Sequence, residues 1–129
     1  MFVQPKSLIC LDIRCCNQIT SFSTIPSSIQ HLYIDYNKET IKTIPSSNIK
    51  YLEINYDCKE MKEEEIKYLP QSLLGLLLYD PTQLTSKIFE YFHPNLLYLT
   101  LEDSNIETNQ NPYQQIPKDI DIHLKHLKW

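Results

Sequence analysis

The feature that most constrains this chain is the segment IQHLYIDYN at 29–37, with apolar residues at its first, fourth and sixth positions and asparagine at its ninth. The pentapeptide TIPSS precedes it at 24–28 and returns unchanged at 43–47, before IKYLEINYD. An identical lead-in before the same apolar spacing indicates an internal repeat. Such a repeat predicts a fold built by stacking copies of one short unit.

Five copies share this spacing. Their apolar triplets are Leu8-Leu11-Ile13, Ile29-Leu32-Ile34, Ile49-Leu52-Ile54, Leu73-Leu76-Leu78 and Leu96-Leu99-Leu101. A proline precedes each triplet, and successive prolines are separated by 19 to 25 residues along the chain: Pro5, Pro26, Pro45, Pro70 and Pro94.

These features resemble the leucine-rich repeat superfamily, whose period is about 20 to 29 residues. The matching segments are LICLDIRCC, IQHLYIDYN, IKYLEINYD, LLGLLLYDP and LLYLTLEDS. The lead-ins IPSSI, IPSSNI and LPQSL are similar to those of FNIP-type and bacterial LP-type repeats. The resemblance implies an α/β fold: a short solenoid with a parallel β-sheet on its concave face and loops and short helices on its convex face.

The spacing supports the same architecture on physical grounds. Alternate residues of a strand face opposite sides, so the leucines of an L-x-L segment point inward and their neighbours outward. One copy cannot bury its apolar face alone, and the strands should therefore stack in parallel, about 4.8 Å apart, as a curved sheet. We expect one domain over 1–129, with about five repeats at 5–115 and a C-terminal cap at 116–129.

The segments between the strands carry weaker signals. The ninth position of each copy should turn the chain off its strand, and it holds Cys16, Asn37, Asp57, Pro81 and Ser104. We expect Cys16 to be a buried turn residue and Cys58 a loop thiol. The arms at 58–68 and 81–92 should form short helices, the earlier arms only turns or 3₁₀ segments. In the cap, alternating apolar residues at 120–124 favour a sixth, edge strand.

Composition excludes several classes of protein. A formal net charge of -4 disfavours nucleic acid binding, which needs a clustered basic face. The N-terminal segment has no long apolar run, so we expect no signal peptide and no membrane span. The four cysteines include no C-x-x-C pair, which favours a reduced, cytoplasmic protein.

The outward residues of stacked strands should form rows across the concave face, rich in tyrosine and carboxylate. Tyrosine offers a large contact area and few rotors, which suits a binding surface for a protein or peptide with basic side chains. The alternative is that strands simply favour tyrosine and the face is solvated. The candidate partner-binding residues are Asp12, Arg14, His31, Tyr33, Asp35, Tyr51, Glu53, Asn55, Leu77, Tyr79, Tyr98, Thr100 and Glu102.

Catalysis, cofactors and metals have little support in the sequence. Cys10 and His31 should be neighbours in one row, a pairing that can activate a thiol. No glycine-rich loop supplies an oxyanion site, however, and the cysteines lack zinc spacing. We therefore expect a protein without enzymatic activity, cofactor or metal.

The resemblance implies a protein–protein interaction module. Two alternatives remain open, as does the oligomeric state. One is a structural subunit of a larger assembly such as a viral particle. The other is a fragment related to leucine-rich-repeat effectors.

Overall fold

A computed structural model describes residues 8–16, 18–45, 48–55, 58–102 and 121–125 of the chain. Its principal element is one parallel β-sheet in which the strands follow one another in chain order. The six strands are β1 (Cys10–Asp12), β2 (His31–Asp35), β3 (Tyr51–Asn55), β4 (Gly75–Tyr79), β5 (Tyr98–Glu102) and β6 (Asp121–Lys125). Four of the five predicted copies thus supply a full five-residue strand, and β6 confirms the expected sixth strand at 120–124.

A recurring backbone hydrogen bond sets the register of the sheet. In the first four copies, the carbonyl of the residue just before the strand accepts two successive N–H groups of the next copy, at 2.7–3.0 Å. The four acceptors are Ile9, Gln30, Lys50 and Leu74. They occupy the same position of consecutive copies, so the repeat seen in the sequence is also a repeat of hydrogen bonds.

The predicted triplets form the core beneath the sheet. Leu32, Leu52, Leu76 and Leu99 are register partners on neighbouring strands, and the triplets of the second to fifth copies are at most 4% exposed. The first triplet is only half-buried, because β1 is an edge strand with a neighbour on one side. The prediction that the aliphatic triplets meet inside one continuous ladder is confirmed.

The arms between the strands contain 3₁₀ helices. These are η1 (Ile41–Thr43), η2 (Cys58–Glu60), η3 (Glu63–Tyr68) and η4 (Ser86–Glu90). Helical structure was expected at 58–68 and 81–92, but η4 begins later than predicted, behind an N-cap at Thr85. Met61, Ile66 and Ile88 point into the core from these arms.

The sheet is not curled, so the curvature expected of a concave face is not seen. The arms offer a physical reason. An α-helix is about 10 Å wide and would splay strands that are about 4.8 Å apart. Narrow 3₁₀ segments and turns can follow the spacing of the strands without bending the sheet.

Two cysteine predictions were wrong. Cys16 is exposed, because the chain leaves the short edge strand through a tight turn in which Cys15 has a φ of 62°. Cys58 is fully buried, because η2 begins there and directs its thiol toward the Ile54 carbonyl, 3.4 Å away. Asn37 does close its turn as predicted: its Oδ1 accepts backbone N–H groups at 2.8 and 3.1 Å. Asp57 and Ser104 lie outside the described residues.

Within the described ranges, no helix has both the length and the apolar character needed to cross a bilayer.

Two leucines on the strands provide a matched test of the core. Leu52 is 1% exposed beneath β3, whereas Leu77 is half-buried on the opposite face of β4. We expect Leu52→Ala to lower the free energy of unfolding by about 2–5 kcal/mol, because it leaves a cavity in a packed interior. Leu77→Ala should lower it by less than about 1.5 kcal/mol. Urea denaturation followed by circular dichroism measures both, and equal losses would contradict the assignment of the two faces.

Candidate functional site

The side of the sheet opposite the core, here called the open face, carries the residues between the apolar triplets. Register places them in rows across the strands. The first row is Cys10, His31, Tyr51, Gly75 and Tyr98, and the second is Asp12, Tyr33, Glu53, Leu77 and Thr100. A third row holds two pairs, Asp35 with Asn55 and Tyr79 with Glu102. The rows agree with those predicted from the sequence, except at Arg14.

Arg14 does not extend the third row, because β1 ends at Asp12 and Arg14 lies in the following turn. Its guanidinium folds back onto the Asp12 carboxylate, with Nε–Oδ1 at 2.8 Å and Nη2–Oδ2 at 2.6 Å. These hydrogen bonds lower the pKa of Asp12. The same guanidinium lies 5.3 Å from the centre of the Tyr33 ring. Arg14 is therefore engaged by a carboxylate and an aromatic ring of its own chain.

Aromatic rings occupy the middle of the open face. His31 stacks on Tyr33 with ring centres 4.4 Å apart and an interplanar angle of 23°. It also meets the Tyr51 ring, tilted by 53° at 5.8 Å. Offset and tilted arrangements of this kind stabilise aromatic pairs beyond the area that they bury. Three rings from two neighbouring strands thus form one continuous cluster.

The first row is completed by Gly75, the only glycine in the sequence. A Cβ atom at this position would lie 2.9 Å from Tyr51 Cδ1, so the Tyr51 ring rests directly against the backbone of β4. Tyr51 and Tyr98 nevertheless remain 40% and 49% exposed. The role of Gly75 as the space for a ring was not predicted from the sequence. Its uniqueness in the chain was the available signal.

Glu53 lies at the centre of the second row, between Tyr33 on β2 and Leu77 on β4. Its side chain is 26% exposed, and the His31 imidazole lies near it, with Nε2 and Oε1 3.9 Å apart. That distance is too long for a hydrogen bond. Burial raises the pKa of Glu53, although the charges of His31 and Arg14 act in the opposite direction.

Two carboxylates of the third row have partners of their own. Asp35 accepts the backbone N–H of Cys15 at 2.6 Å, which ties the open face to the turn after β1. Glu102 was predicted to be an outward contact residue, but it is 6% exposed. Its carboxylate accepts a hydrogen bond from Tyr79, and burial together with this bond raises the pKa of Tyr79. Glu102 is thus covered by its neighbours on the open face and is not presented to a partner.

The remaining candidates lie where they were expected. Asn55, Leu77, Tyr79 and Thr100 are half-buried on the open face. Asp12, Arg14, Cys15, Asp35 and Asn55 line a shallow polar depression where β1 to β3 end. No group of three His, Cys, Asp or Glu side chains suited to a metal ion occurs among the residues that the structure describes.

The chain matches no family model, no curated protein and no solved structure. The resemblance to leucine-rich repeats therefore rests on the sequence motifs alone. Any assignment of function depends on the chemistry of the open face.

The Gly75 position can be tested directly. We expect Gly75→Ala to keep the fold but to displace the Tyr51 ring, because the added methyl group would overlap Cδ1 and the exposed ring is free to rotate. Nuclear Overhauser contacts between the Tyr51 ring and residue 75 should disappear. Thr100→Ala, on the neighbouring strand, serves as a control that leaves this contact unchanged. Unaltered ring contacts in the Gly75→Ala protein would contradict the packing described here.

Glu53 generates a prediction on pH dependence. In the folded protein its carboxyl keeps its proton to a higher pH than in the unfolded chain, where the pKa is near 4.5. Folding therefore favours the protonated form of Glu53. Its contribution to stability falls as the pH rises from about 4.5 through the higher pKa of the folded state. Glu53→Gln removes that fall, so the stability of the variant relative to the wild type should rise as the pH is raised from about 4.5.

Urea denaturation at several pH values measures this difference, which should stay below about 1 kcal/mol for a partly solvated group. Glu90→Gln, at an exposed carboxylate of η4, is the matched control and should show no such trend. A difference between wild type and Glu53→Gln that does not change with pH would show the prediction to be wrong.

Proposed function

We propose that this chain is a leucine-rich-repeat type solenoid that binds a protein or peptide through its open face and catalyses no reaction. The parallel order of the strands and their register support the repeat assignment. The open face supports the functional part, because it displays rows of tyrosine and carboxylate side chains in register across neighbouring strands.

The observation that carries the proposal is the pair of exposed tyrosines in the first row. Tyr51 and Tyr98 stand on either side of the Gly75 position, with 40% and 49% of their surface exposed. Aromatic residues of this kind are enriched at the energetic centres of protein interfaces, since they bury much area at a small entropic cost. A face that is only solvated does not require a glycine at the position where the Tyr51 ring rests against the backbone of β4.

The charges of the open face favour a partner with basic side chains. The charge of Arg14 is compensated by Asp12, which leaves Asp35 and Glu53 as further carboxylates on the face. Complementary charge across an interface guides association and selects among partners. No cofactor is part of this proposal. A cytoplasmic location stays a prediction from the pattern of the four cysteines, all of them free thiols.

A display experiment tests the proposal. Random peptides selected on the wild-type protein should be enriched in Arg and Lys, and they should lose about tenfold or more in affinity for Tyr51→Ala/Tyr98→Ala. The matched control is Tyr68→Ala/Tyr91→Ala, which removes two tyrosines of similar exposure, 39% and 41%, from the arms. Fluorescence anisotropy of labelled peptides measures the affinities.

Selected peptides that bind both double variants as tightly as the wild type would place the contact surface elsewhere. A selection that enriches no sequence would count against peptide recognition altogether.

A structural subunit of a larger assembly is a second candidate, and one observation favours it. At the β1 edge, Ile9 is 53% exposed and Leu8, Leu11 and Ile13 are only half-buried. An edge of this kind can pair with another strand. Sedimentation velocity separates the two roles: concentration-dependent assembly that Ile9→Lys abolishes supports the subunit, and a monomer at all concentrations counts against it.

A further inference from the structure

We propose that Glu53 is the recognition residue for an arginine side chain of the bound partner, with the Tyr51 ring alongside it as an aromatic contact. This inference rests on the proposed function, because it names the chemical group that the open face selects. It draws on two independent observations, the lack of a hydrogen-bond donor at Glu53 and the arrangement around Arg14.

Glu53 differs from the other carboxylates of the open face. Asp12 is bound by the guanidinium of Arg14, and Asp35 accepts a backbone N–H from Cys15. In the part of the chain that the structure describes, no hydrogen bond ends on Glu53, and the His31 imidazole Nε2 stays 3.9 Å from its Oε1. Glu53 is partly shielded from water and accepts no hydrogen bond from the described residues, so its oxygens are available to a donor that a partner supplies.

Arg14 shows what kind of donor this surface accepts. Its guanidinium meets a carboxylate through two nitrogens, Nε and Nη2, and lies against the ring of Tyr33. Glu53 is the register partner of Tyr33, one strand further along the sheet. The sheet therefore has two carboxylates beside aromatic rings, Asp12 and Glu53. At Asp12 the chain's own Arg14 supplies the guanidinium, whereas among the described residues no arginine is bonded to Glu53.

The surroundings of Glu53 suit arginine better than lysine. Tyr51 precedes it on the same face of β3, and its ring is 40% exposed. Leu77 lies beside it on β4 and offers an apolar contact for the methylene groups of a long side chain. A planar guanidinium can bind a carboxylate through two hydrogen bonds and stack on a ring at the same time, whereas an ammonium group binds as a point charge.

A nuclear magnetic resonance titration tests the inference with a defined probe, the tripeptide Ac-Gly-Arg-Gly-NH₂. Amide signals of the ¹⁵N-labelled protein should shift at 51–55 and at 75–79, where β3 and β4 lie. The same tripeptide with citrulline, which keeps the shape but lacks the charge, should give an initial slope about tenfold smaller. The lysine tripeptide should fall between the two.

Variants assign the effect to Glu53. Glu53→Gln should reduce the initial slope for the arginine tripeptide about tenfold, because it removes the charge and keeps the size of the side chain. Glu90→Gln, an equivalent change at an exposed carboxylate outside the open face, should leave it unchanged. Shifts centred on other strands, or equal slopes for arginine and citrulline, would overturn the inference.

The outcome is separable from that of the proposed function. If display-selected peptides depend on Tyr51 and Tyr98 but bind Glu53→Gln as tightly as the wild type, the open face is a binding surface and the role of Glu53 is refuted. If the arginine tripeptide shifts β3 and β4 in a Glu53-dependent way while no selected peptide depends on the two tyrosines, guanidinium binding at Glu53 stands, and the tyrosine-centred contact surface of the proposed function is refuted.

Discussion

The structure depends on one repeated constraint, the carbonyl at the start of each strand that accepts two N–H groups of the next copy. This contact fixes the register between neighbouring strands, and register decides which side chains face the core. A slip by one residue would turn every leucine of a strand outward and every tyrosine inward, so the apolar triplets and the hydrogen bonds enforce the same alignment. The same register therefore determines both the residues of the core and the residues of the open face.

The open face combines contacts that stabilise the fold with groups that the fold leaves unsatisfied. His31, Tyr33 and Arg14 engage one another and Asp12, which keeps the first two strands ordered at the edge of the sheet. Glu53, in the centre, has no comparable partner. If a partner supplies a donor there, as proposed above, binding would provide the hydrogen bond that the folded chain does not.

Sequence patterns predicted the ladder well because period and register depend on short-range spacing. The triplets, the rows of the open face and the sixth strand all follow from counting residues. The errors arose where tertiary contacts decide. Glu102 is buried beside Tyr79 and bonded to it, Arg14 is turned back by Asp12, and Cys58 is directed into the core by the start of η2. Spacing alone does not encode which polar side chains find partners across strands, nor that narrow 3₁₀ arms leave the sheet uncurled.

The arms between strands differ in length and in helical content, yet the strands that they join keep one uninterrupted register. Insertions and deletions in the arms can therefore leave the strands, and the side chains of the open face, in place. Substitutions of the outward side chains on the strands and changes in the length of an arm can therefore occur independently of each other.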